Sequence, residues 1–227
     1  MSATAAFQTT VPHPRSTPVQ ATAPGPVAGV GPLPAAKRSA VLLCTELRGL
    51  ARLSEALDPR VVLMLAGEFF EFAAQAVRAH SGEAVSTDHD VLLSVFARGN
   101  PLQTAQQAVR AAQAIQSGFP AIADRWRATH GLRSAVAQAL HLGEVVLGTT
   151  GPKGLERRIA FGDSVSLAHA LRHRARAGEF LMSDAVMGAL SVENLDLDAE
   201  PLPPLDLPRR PSIRLYGVLM PARLDFT

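Results

Sequence analysis

The spacing of apolar residues changes along the chain, and each change predicts an element. Residues 39–46 (SAVLLCTE) form a mostly apolar run, which predicts a buried strand. Residues 47–50 turn the chain into a short helix over 51–57. Asp58 followed by Pro59 reads as an N-cap with proline at the first helical position. The helix it opens runs to about His80, with Val62, Leu65, Phe69, Phe72 and Val77 along one stripe. Residues 83–87 and 91–96 read as two strands joined at Asp88, His89 and Asp90, a β-hairpin. Residues 102–128 predict a long Ala- and Gln-rich helix, kinked or broken at 118–120, where Gly and Pro fall together. A strand over 132–142 continues past Gly143 into 144–148.

Further on, 158–161 predicts a short strand, and Gly162-Asp163 a corner at which Asp163 caps a helix over 163–174. Residues 179–182 read as a strand, and Ser183-Asp184 as the cap of a short helix. A Pro-rich crossing over 200–211 precedes a final, edge-like strand over 212–218. Strand–helix–helix–strand–strand–helix–strand is the ferredoxin-like order. The fold class is therefore α+β, with an antiparallel sheet packed by helices and extra C-terminal elements.

Composition narrows this picture. Of the 227 residues 47% are apolar and 19% charged, as in globular chains. Seven prolines among Ala, Thr and Gly in residues 1–37 predict a flexible tail ahead of a domain over 38–220, with 221–227 a second tail. A net charge of +2 is too mild to indicate nucleic acid. Cys44 is the only cysteine, so an internal disulfide is excluded. No apolar run reaches bilayer length and no signal pattern opens the chain, so the expectation is a cytoplasmic protein with no membrane partner.

Candidate chemistry enters with the run from His141 to Leu171. His141, Gly143, Val145, Gly148, Gly162, Asp163, Val165 and Ala168 reproduce the pattern H-x-G-x-V-x-x-G, a loop, then G-D-x-V-x-x-x-A. The chain thereby resembles the class III nucleotidyl (adenylate/guanylate) cyclase catalytic domain, from about Ala40 to Val218. That resemblance implies a site shared between two head-to-tail domains. One half holds two metal ions and the triphosphate. The other reads the base and stabilises the transition state.

Position by position, the resemblance places metal carboxylates at Glu46 and Asp90, and phosphate-binding backbone at Leu47, Arg48, Gly49 and Leu50. Glu46 stands where the family has Asp, a methylene shorter, and magnesium tolerates such a shift poorly. The base-reading positions are Ser86 and Ile159, the ribose Asn is Ser166, and the charge-neutralising Arg is Ala170. No catalytic position of that second half is intact. Loss of a single transition-state donor commonly costs a factor of roughly 100 to 1000. Arg172 and His173 stand roughly 200° and 300° around the helix from Ala170, a poor approach for a substitute.

The resemblance implies a domain of cyclic-nucleotide signalling, degenerate in catalysis, acting as a dimeric regulatory or nucleotide-sensing module. Its partners would be a second cyclase-type domain, as homodimer or heterodimer, and a nucleoside triphosphate. Mg or Mn would be the cofactor wherever activity or nucleotide binding is retained. The rival is an active adenylate or guanylate cyclase, complete only as a heterodimer to which this chain brings the metal half. A simpler reading makes Asp90 a turn residue and Glu46 a solvated strand end. Cys44 reads as a packed thiol, His141 as a core or interface residue, and Trp126 as half-buried.

Overall fold

A computed structural model describes residues 36–190 and 197–219. The expected terminal tails lie outside them, except that Ala36 and Lys37 already form the first rungs of β1 (Ala36–Arg48). After β1 come α1 (Leu50–Ala56), α2 (Pro59–Ala79), β2 (Glu83–Asp88), β3 (Val91–Phe96), α3 (Pro101–His130) and β4 (Ala135–Thr150). Then follow β5 (Arg157–Phe161), α4 (Asp163–Arg172), β6 (Glu179–Ser183), α5 (Asp184–Ala189), β7 (Glu200–Leu205) and β8 (Ile213–Leu219). The strands make one sheet in the order β2-β3-β1-β4-β6-β8-β7, with β5 paired to β4. All pairings are antiparallel except β4 with β6. The expected βααββαβ order with C-terminal additions is therefore observed.

The unbroken apolar run of β1 is explained by burial on both faces. Val41, Leu43 and Leu47 point into a core with Leu65, Phe69, Val77, Ile115 and Phe119 of α2 and α3. Ala40, Leu42 and Cys44 point the other way, into a second core with Leu93, Val145 and Ala168 of α4. Alternation in a strand makes Glu46 the next residue on that second face. Of the expected α2 stripe, Leu65, Phe69 and Val77 are fully buried, while Val62 and Phe72 pack against the core half-exposed.

Several expectations are corrected. Helix α3 runs unbroken through Pro120. Gly118 serves packing, since a Cβ there would lie 2.8 Å from Cζ of Phe72. Asp163 does not cap α4: the N-cap is Gly162, no side chain caps the helix, and Arg210 takes the Asp163 carboxylate. The Pro-rich crossing contains β7, which makes β8 an interior strand and β7 the edge. An edge tolerates Pro201, Pro203 and Pro204 because their missing N–H groups need no partner, and the register slips between Leu202 and Leu205. Trp126 is buried, its indole N–H donating to Glu68 Oε2 at 2.8 Å. No helix among the described residues is long and apolar enough to cross a membrane.

Candidate functional site

Glu46 is the last residue of β1 to pair with β3, opposite Val91, so Asp90 lies beside it at the hairpin turn. The turn carries His89 where a glycine would be easier. His89 accepts a positive φ of 48°, and its Nδ1 lies 2.7 Å from Asp88 Oδ1. Asp90 is half-buried and its carboxylate has no partner among the described residues, while its carbonyl accepts from the Leu47 N–H at 2.8 Å. That N–H is thereby committed to the ladder. Gly49 has φ 101°, and a Cβ there would come within 2.9 Å of the Arg133 carbonyl, so this turn needs glycine.

Glu46 is not a solvated strand end. It is 5% exposed, and both of its oxygens are engaged. Arg172, from the end of α4, donates through Nη1 to Oε2. Arg48 reaches Oε1 through Nη1 at 2.9 Å and the Ala175 carbonyl through Nη2 at 3.0 Å. Arg172 Nη2 lies 3.0 Å from Nε2 of His173. The Nε–H groups of both arginines are buried without partners. At the basic end of α4, one of the arginines, Arg172, is thus spent on Glu46. Burial pushes the Cys44 thiol, two residues before Glu46 on the same face, up to about 12; the field of Arg172 opposes this and that of Glu46 adds to it.

These residues do not fit a divalent ion. Of the two carboxylates expected to ligate it, Glu46 is already saturated by two guanidinium groups and only Asp90 is unengaged by the described residues. Among the described residues no group of three or more His, Cys, Asp or Glu is placed to hold a metal.

The two positions that the resemblance assigns to base reading do come together. Ser86 of β2 and Ile159 of β5 line one open groove of about 1050 Å³ between the β2–β3 and β4–β5 hairpins. An extra residue in β2, the register slip between Ala84 and Ser86, turns Val85 into the same groove. Its walls are largely apolar (Val85, Leu93, Ile159, Val165), and Arg158 ties the two hairpins by pairing with Glu83. Arg157 lines the groove and is without a partner among the described residues.

Ser166 and Ala170 do not line this groove. Ser166 is exposed, and Ala170 packs against a third cluster that includes Leu171 and Leu181. The α4 residues that face the groove are Val165 and His169. Burial holds His169 below its ordinary value, Arg172 and His173 push the same way, and Asp88 opposes them. His169, Arg157 and the Glu46 role of Arg172 were not among the expected site residues. The i, i+4, i+7 spacing of Val165, His169 and Arg172 was the available signal, since it puts all three on one side of α4.

His141 is buried, with Nδ1 3.0 Å from Ser183 Oγ. Burial lowers its pKa against the pull of Asp184 and Asp163. Gly143 lets α4 approach: a Cβ there would meet Ser164 Oγ at 2.2 Å.

No protein-family model matches this sequence. Adenylate cyclase 1 of Rhizobium meliloti (strain 1021) is 27% identical over 139 residues, 60% of this chain and 20% of that protein. The chain thus spans about a fifth of the length of the curated relative it matches. The crystal structure of the adenylyl cyclase CyaB from P. aeruginosa superposes with a TM-score of 0.76 at 18% identity, covering 86% of this chain and all of that one. The guanylate cyclase domain of RhGC from Catenaria anguillulae, solved with GTP, gives 0.70 at 16% identity, covering 81% and 98%. In its described residues, this chain has the fold of the class III nucleotidyl cyclase catalytic domain.

Proposed function

We propose that this chain is a cyclase-homology domain of cyclic-nucleotide signalling that has lost catalysis and acts as a dimeric regulatory or nucleotide-sensing module. One observation carries the reading. The position that the resemblance assigns to the charge-neutralising Arg is Ala170, packed into an apolar cluster. Arg172, two residues on, is directed to Glu46 instead. The Ala170 side chain offers a developing phosphate charge neither donor nor cation, and such donors are usually among the largest contributors to rate.

What remains is a groove suited to a flat ring. Its apolar walls would hold a purine, while Ser86 and Ile159 offer little to distinguish one base edge from another. Dimerisation is supported by Leu155 and Phe161, large apolar side chains exposed at and beside the β4–β5 hairpin. The engagement of Glu46 weighs against the rival in which this chain supplies an intact metal half to an active heterodimer.

The test is incubation of the purified protein with ATP or GTP and manganese, with mass spectrometry for cyclic product. None is expected. Product that disappears in Asp90→Ala would overturn the proposal. Nucleotide bound without turnover, read by calorimetry, is the expected companion result.

A further inference from the structure

The Glu46 centre has the wrong chemistry for a cation and the right chemistry for an anion. The Glu46 carboxylate is paired with two guanidinium groups, Arg48 and Arg172. No net negative charge is left on Glu46 to attract a divalent ion. Both Glu46 oxygens are spent, and a metal at the usual ligand distance of roughly 2 Å would stand against two cations. Around Glu46 the unspent groups are donors: Nε–H of Arg48 and Nε–H of Arg172 are buried without partners. Arg172 is fixed by its Glu46 pair, and its side chain is only 11% exposed. The cation here is part of the chain.

We infer that Arg172 and Arg48 stand in the place of a divalent metal on Glu46, so that this half-site excludes metal and takes a polyphosphate as the metal-free anion. The exclusion of metal follows from the Glu46 geometry alone. The identity of the anion rests on the nucleotide-binding reading above, and the two parts are tested separately.

In the first measurement the full chain is titrated with Mn²⁺ alone, free ion being read by electron paramagnetic resonance. Wild type is expected to show no site that depends on Glu46. Arg172→Gln, which releases one Glu46 oxygen, is expected to gain a weak site that is lost again when Glu46→Gln is added. If that variant does not fold, Arg48→Gln replaces it, and the wild-type titration decides on its own. A stoichiometric wild-type site abolished by Glu46→Gln would overturn the inference.

In the second, ATP is titrated calorimetrically in EDTA and again in excess Mg²⁺. The dissociation constants are expected to agree within about threefold, and a tightening of about tenfold or more with Mg²⁺ would overturn the anion part. Absence of ATP binding in both buffers would refute the nucleotide reading and the anion part with it, while the Mn²⁺ titration would still decide the exclusion of metal.

Discussion

Replacing Glu46 by its neutral isostere separates two opposite expectations for the same carboxylate. A metal ligand without its ion sits beside another carboxylate and is repelled by it, so neutralising it leaves the metal-free protein unchanged or more stable. A carboxylate joined to two buried guanidinium groups gives the reverse. Glu46→Gln keeps the shape but points an amide N–H₂ at one arginine and removes the charge that compensates both. Removing one partner of a buried ion pair costs about 3–5 kcal/mol, because the remaining charge is left in a poor solvent. The Arg172 side chain is 11% exposed and that of Glu46 6%, so this pair takes the lower end of that range, about 3 kcal/mol. The Arg48 side chain is 35% exposed, and solvent screening reduces its share to under about 1 kcal/mol. At about 2–4 °C per kcal/mol for a domain of this size, the combined loss of about 3–4 kcal/mol lowers Tm by about 6–16 °C. The assay is calorimetric melting in EDTA, where no added metal can contribute. An unchanged or raised Tm would refute the ion-pair account of Glu46.

Three further outcomes follow from the same coordinates. Gly143→Ala sets a Cβ 2.2 Å from Ser164 Oγ and 3.0 Å from its Cβ, and is expected to destabilise by about 1–3 kcal/mol in urea unfolding; Ser164→Ala in addition should recover part of that loss. Stability is expected to fall with acid below about pH 6.5, because buried His141 and His169 resist protonation in the folded state while the unfolded chain takes up protons at the ordinary imidazole value. For a depressed histidine the contribution is present above the unfolded pKa and is lost as pH drops toward the folded one. His141→Gln should therefore flatten the Tm-against-pH profile between pH about 7.5 and 5. Cys44, buried and with its thiol pushed up to about 12, is expected to resist iodoacetamide at neutral pH until urea unfolds the chain; alkylation of the native protein would contradict its packing.

Much of the fold was legible because its signals are local. The apolar run of β1, the Asp58-Pro59 start of α2 and the 3.6-residue stripe of Leu65, Phe69 and Val77 each specify an element without reference to distant chain. Local signals misled where the context was edge or contact. Pro201, Pro203 and Pro204 argue against a strand until β8 offers them an edge. Gly118 and Pro120 argue for a break, yet α3 continues through them with Phe72 packed against Gly118.

The sequence by itself determined the order of elements and that positions 166 and 170 carry neither an amide nor a guanidinium, since a group missing from the chain is missing in any fold. Only the tertiary structure decided what Glu46 does. Its partner Arg172 lies 126 residues away, joined through a sheet and the far end of a helix, and no periodicity or spacing encodes such a pair. A charge pattern lists the ions a chain carries. Folding chooses which of them meet, because burying either one alone would cost more than burying them together.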